Sequence, residues 1–135
     1  MPSAAPAGRR PYENAMAILL AVRDLVFRSR IHAAAERLGV PLRLAPRGTP
    51  LSQAARDLGG GTALVDLSEP GVLDEIRLVK QAGGVRVVGF LGHLEVGLAA
   101  AARDAGADEI LSRGQLVQRL DVLLRDAAEG LPPSV

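Results

Sequence analysis

The chain has 135 residues, a formal net charge of +1, 48% hydrophobic and 23% charged residues, a composition that suits one globular domain with a buried core and is cramped for two. No apolar run approaches the roughly 20 residues of a membrane-spanning helix, and the lack of cysteine excludes disulfides, thiolate metal sites and cysteine nucleophiles. One tyrosine, two phenylalanines and a near-neutral charge also argue against a nucleic-acid-binding surface, which needs stacking rings or a basic footprint.

Residues 1–14, rich in Pro, Ala and Gly, are expected to form a flexible tail, residues 15–129 one domain, and residues 130–135 a second frayed end. Arg9 and Arg10 follow the small residues rather than precede an apolar leader, so a secretory signal is not expected and the protein is placed in the cytoplasm. From residue 17 onward, short continuous apolar runs alternate with longer segments spaced like helices. Residues 17–22 read as a central strand buried on both faces. Asp24 then caps a helix to Leu38, with Phe27, Ile31, Ala34, Ala35 and Leu38 on one face and Gly39 as its stop. Residues 41–45 form a more polar edge strand, and 51–58 a short helix ended by three glycines. The third strand, 62–67, is apolar until Asp66. A helix over 72–82, a strand over 86–91, an alanine-rich helix over 95–105, a short strand over 109–111 and a final helix over 115–129 complete the chain.

Strict alternation of this kind predicts an α/β fold: a five-stranded parallel sheet in the order 2-1-3-4-5, with helices on both faces and right-handed crossovers. The reactive crevice of such a sheet lies beyond the carboxyl ends of its strands. Those ends carry Val22, Arg23 and Asp24; Asp66, Ser68 and Glu69; Leu91, Gly92 and His93; and Ser112 and Arg113. Asp66 stands out because a carboxylate closing an apolar strand is costly to bury unless it is partnered. Its bland reading is a cap or a loop hydrogen-bond acceptor.

The run Asp66-Leu67-Ser68-Glu69-Pro70-Gly71 resembles the phosphoacceptor turn of response-regulator receiver domains, in which an aspartate ends strand three and a proline follows four residues later. Gly106-Ala107-Asp108-Glu109-Ile110-Leu111-Ser112-Arg113 resembles the fifth-strand motif of the same family, and Ile18-Leu19-Leu20 its first strand. The resemblance spans residues 16–128 and implies a flavodoxin-like signalling domain of a bacterial two-component system. It places the phosphoacceptor position on Asp66. The paired acids that hold magnesium in the family fall at Val22 and Arg23, its strand-four hydroxyl at Leu91, its strand-five lysine at Arg113, the proline after that at Gly114, and its aromatic switch at Ile110. Valine offers magnesium no oxygen and arginine repels it. The first reading is therefore a non-enzymatic pseudo-receiver, with no cofactor and no metal site, that works through protein partners, a second copy of the chain among them. In that reading Arg23, Arg113 or both pair with Asp66, since a guanidinium holds a carboxylate with two parallel hydrogen bonds.

Two alternatives stay open: a working phosphoacceptor in which Asp24 supplies an acid and Arg113 replaces the lysine, and a small-anion or metabolite-binding domain in the crevice after strands one and three, with Arg23 and Arg113 on the anion. His93 is either an acid–base group near Asp66 or an exposed loop histidine, and His32 reads as a surface residue. Leu25, opposite the core face of the first helix, and Ala99, Ala102 and Ile110, on the face that receivers use for dimers and outputs, form the candidate interaction surface. No Gly-x-Gly-x-x-Gly or Walker-type loop follows strand one, and the Asp-x-His-x-x-Gly signature of cobalamin-binding domains is absent there too.

Overall fold

The computed structural model of the chain describes residues 17–92 and 95–130. The expected tail over residues 1–14 and all of the C-terminal tail except Gly130 lie outside the described residues. The elements run β1 (Ile18–Ala21), α1 (Leu25–Leu38), β2 (Leu42–Leu44), α2 (Leu51–Leu58), β3 (Gly61–Asp66), α3 (Val72–Ala82), β4 (Val85–Leu91), α4 (Val96–Ala105), β5 (Glu109–Ser112) and α5 (Arg113–Ala128). All strand pairs are parallel, and the sheet order is β2-β1-β3-β4-β5, as alternation predicted.

Strand parity divides the core. Ile18, Leu20, Leu64, Val88, Phe90 and Leu111 pack with Phe27 and Ile31 of α1 and Leu116, Leu120 and Leu124 of α5. Leu19, Ala63, Val65, Val85, Val87 and Leu91 pack on the opposite face with α2, α3 and α4. A strand residue in either set is buried among helices, which is why the strands read as continuous apolar runs. Burying each large side chain contributes about 1.5–3 kcal/mol. Gly89, at the centre of β4, leaves the space that Leu67 fills: a Cβ built there would lie 2.7 Å from Leu67 Cδ2 and 2.8 Å from both Cδ1 and Cγ.

The ends of the elements follow local chemistry. Asp24 accepts from the Phe27 N–H at 3.1 Å to open α1, and Gly39 closes it at φ 76°. Helix α5 starts at Arg113, two residues earlier than the apolar spacing predicts, because Ser112 and Gln115 form a reciprocal capping box. At the amino edge of the sheet, Asp108 Oδ2 accepts both the Val87 N–H and the Lys80 ammonium, each at 2.7 Å. Lys80 Nζ also donates to the Val85 carbonyl at 2.9 Å. One aspartate thereby satisfies a β4 amide before β5 pairing begins at Glu109. Among the described residues no helix is long and apolar enough to cross a membrane.

Candidate functional site

The carboxyl ends of β1, β3, β4 and β5 converge on Asp66, Asp24 and Arg113. Asp66 is 5% exposed. Its Oδ1 accepts the Ser68 backbone N–H at 2.9 Å and the Ser68 hydroxyl at 2.7 Å, and the turn is tightened by the Glu69 N–H donating to the Asp66 carbonyl at 3.3 Å. This is an Asx-turn, in which a short acidic side chain takes over the hydrogen bonding of the loop that follows it. The Leu67 N–H donates to the Phe90 carbonyl at 3.0 Å, which carries the β3–β4 ladder one step past Asp66 and fixes where the carboxylate leaves the sheet.

Arg113 is held from three sides. Its Nη1 donates to Asp24 Oδ2 at 2.9 Å, and its guanidinium carbon lies 5.3 Å from the Phe27 ring centroid and 5.9 Å from that of Phe90. Both distances are within the range of cation–π attraction. The two rings are 5.0 Å apart and tilted by 47°. Two of the three aromatic residues of the chain are thus spent on seating this arginine. Its Nε is buried without a hydrogen-bond partner, and a Cβ at Gly92 would come to 3.8 Å from it. The Phe27 N–H first, and the Arg113 guanidinium second, hold the Asp24 carboxyl below its usual range.

The expected pairing of Asp66 with arginine is not found. Among the described residues Arg113 pairs with Asp24, and Arg23 with Glu69 at 3.0 Å. The physical reason is local: the Ser68 N–H and hydroxyl reach Asp66 from two residues away, at lower entropic cost than a long side chain from another loop, whereas Glu69 and Asp24 stand closer to solvent and accept the guanidinium groups.

The other site residues divide between core and surface. Val22 is buried in the α1/α5 core and Leu91 in the core on the other face, while Gly92 and Ser68 are exposed. His93 lies outside the described residues. Leu25 is 63% exposed. Ala102 is corrected: at 0% exposure it is a core residue of α4 packed on the sheet, because the small alanines on that stretch alternate between the buried and open faces of the helix. Ala99 and Ile110 are half-buried and pack against the same core.

Receiver domains imply a magnesium ion, and the residues here do not fit one. Among the described residues no three His, Asp or Glu side chains gather as ligands. Val22 has no donor, Arg23 brings positive charge, and both Asp24 oxygens are already engaged, one by the Phe27 N–H and one by Arg113. A cation that displaced these contacts would have to uncap α1 and strip Arg113 of its counter-charge.

No protein-family model matches the chain, and no curated protein matches it by sequence. Solved structures do match in fold. The receiver domain of the response regulator NarL from Mycobacterium tuberculosis superposes with a TM-score of 0.72 at 19% identity, over 86% of this chain and 98% of that one. The receiver domain of Ssk1 from Saccharomyces cerevisiae, solved with the histidine phosphotransfer protein Ypd1, gives 0.71 at 11% identity over 84% and 89%. The beryllofluoride-activated NtrC4 receiver domain dimer gives 0.67 at 22% identity over 85% and 98%. Together with the strand order and the Asp66 turn, these likenesses establish that the chain has the receiver fold.

Proposed function

We propose that this protein is a pseudo-receiver: a cytoplasmic signalling domain that acts by binding a protein partner and does not depend on magnesium-assisted phosphorylation of Asp66. The observation that carries the reading is the commitment of Arg113 and Asp24 to each other, on a seat formed by Phe27 and Phe90. Phosphoryl transfer to a carboxylate relies on cations placed to neutralise charge developing on the phosphoryl oxygens. Here Asp24 caps α1 and is paired with Arg113, Val22 and Arg23 supply no metal ligand, and Leu91 supplies no hydroxyl. The fold supports a partner-binding role, since the Ssk1 receiver domain was solved bound to a phosphotransfer protein and the NtrC4 domain as a dimer. A second copy of the chain is one such partner, and Leu25 lies open beside the strand-end loops.

The test is titration of the 15N-labelled chain with magnesium and beryllofluoride, followed by the amide shifts of Asp66, Ser68 and Glu69, with intact-mass measurement after acetyl phosphate as a second readout. The expected outcome is no saturable shift and no acid-labile mass gain. Saturable shifts lost in Asp66→Asn would overturn the proposal in favour of a working phosphoacceptor.

A further inference from the structure

A cavity of about 600 Å³ opens at the carboxyl ends of β1, β2 and β3, beside the Asp66 turn but without Asp66, Asp24 or Arg113 in its lining. Its size lies in the range of small-molecule sites. The lining combines apolar surface from Ala21, Leu51, Val65 and Val72 with three guanidinium groups, Arg23, Arg28 and Arg47, and two carboxylates, Glu69 and Glu75.

The charges are not equally available. Glu69 is paired with Arg23, and Glu75 Oε1 accepts the Ser52 backbone N–H at 2.9 Å, capping α2 from another helix. Arg28 and Arg47 make no ion pair among the described residues. Two cations, Arg28 on α1 and Arg47 in the loop between β2 and α2, therefore line one cavity in which Glu69 is paired and Glu75 is engaged at α2. The first turn of α2 also opens there through Pro50 and Leu51, but the Glu75 carboxylate already answers its N-terminal dipole, so the positive field of the cavity comes from Arg28 and Arg47.

We propose that this cavity binds a small organic phosphate, with its phosphoryl oxygens between Arg28 and Arg47 and its apolar body against Ala21, Leu51, Val65 and Val72. Phosphate suits the pair because guanidinium forks hold tetrahedral oxyanions through several charged hydrogen bonds at once. The apolar floor favours an ester over the inorganic ion. The site goes beyond the pseudo-receiver reading and does not rest on it: it is built from the β2–α2 side of the sheet, and it gives the domain a ligand that would alter its surface near Leu25, which also lines the cavity.

The experiment is an amide-shift titration of the full chain with phenyl phosphate at low salt, with benzyl alcohol as the uncharged control. Saturable shifts are expected at Ala21 to Arg23 and at Arg47 to Leu51, with benzyl alcohol weaker by roughly tenfold or more, the scale of a charged hydrogen bond. Arg28→Gln with Arg47→Gln should weaken phenyl phosphate by a similar or larger factor. Arg28 is half-buried on α1 and Arg47 is exposed in the loop after β2, and unchanged shifts elsewhere confirm the fold of the variant. Asp66→Asn should bind as the parent does. Absence of saturation, unchanged binding in the double variant, or loss of binding in Asp66→Asn would each overturn the assignment, the last by moving the anion to the strand-three turn.

Discussion

Replacing Gly89 by alanine tests how the centre of the sheet positions the Asp66 turn. The added methyl would sit 2.7–2.8 Å from three carbons of Leu67, whereas carbon atoms pack best about 3.5–4.0 Å apart, so Leu67 must retreat by roughly an ångström. Leu67 is 2% exposed and packed in the core shared with α2 and α3, and Cγ is among the atoms approached, so a flip of a terminal methyl does not relieve the contact. Overpacking of this kind costs about 1–3 kcal/mol. Leu67→Ala alone should cost about 2–5 kcal/mol by leaving a cavity. Combining the two lets the alanine methyl occupy part of that cavity, and the double variant should be more stable than the sum of the single losses by about 1 kcal/mol or more. Urea unfolding with matched m-values measures all three. Gly89→Ala within about 0.5 kcal/mol of the parent, or strictly additive losses, would refute the reasoning. Because Leu67 separates Asp66 from Ser68, Gly89→Ala should also speed hydrogen exchange at the Ser68 amide.

Arg113→Ala should raise the Asp24 titration midpoint toward the ordinary carboxylate value of 3.8 without reaching it, since the Phe27 N–H remains; carbon-detected NMR of the carboxyl follows it. The sign for stability follows from the depressed folded value: the Asp24 contribution is fully present above the unfolded midpoint and is lost as pH falls through the folded one, so the parent and Arg113→Ala should converge in acid. Asp108→Ala should cost about 1–3 kcal/mol by orphaning the Val87 N–H, read by thermal unfolding, whereas Lys80→Met should cost less, because the aspartate still accepts that amide. Glu75→Ala should lower stability by about 1 kcal/mol and raise exchange at the Ser52 amide in the first turn of α2.

The fold was legible because each structural decision in it is local. Asp24 before an apolar stripe and Gly39 after it mark α1 without reference to the rest of the chain, and the alternation of strands with helices leaves little choice of topology. The Asp66 turn was legible for the same reason, since Ser68 is two residues away. The pairings were not. Whether Arg113 meets Asp24 or Asp66 depends on the angle at which α5 leaves β5, which Ser112 and Gln115 set by capping, and on the two rings beneath the guanidinium, which belong to α1 and β4. Arg28 and Arg47 were missed because one lies on α1 and the other in the loop after β2, and no spacing connects them. Ala102 was misplaced because alanine is equally at home on either face of a helix.

The clip formed by Lys80 and Asp108 has a practical consequence, because Lys80 is the only lysine in the chain. An amine-selective acylating reagent has one side-chain target, and its ammonium is held by Asp108 and by the Val85 carbonyl. Acylation requires a free neutral amine, so its rate at residue 80 should follow the fraction of molecules in which this edge of the sheet has let go. The protein carries its own side-chain reporter of local opening, on the end of the domain opposite the strand-end loops, where labelling leaves the candidate sites untouched.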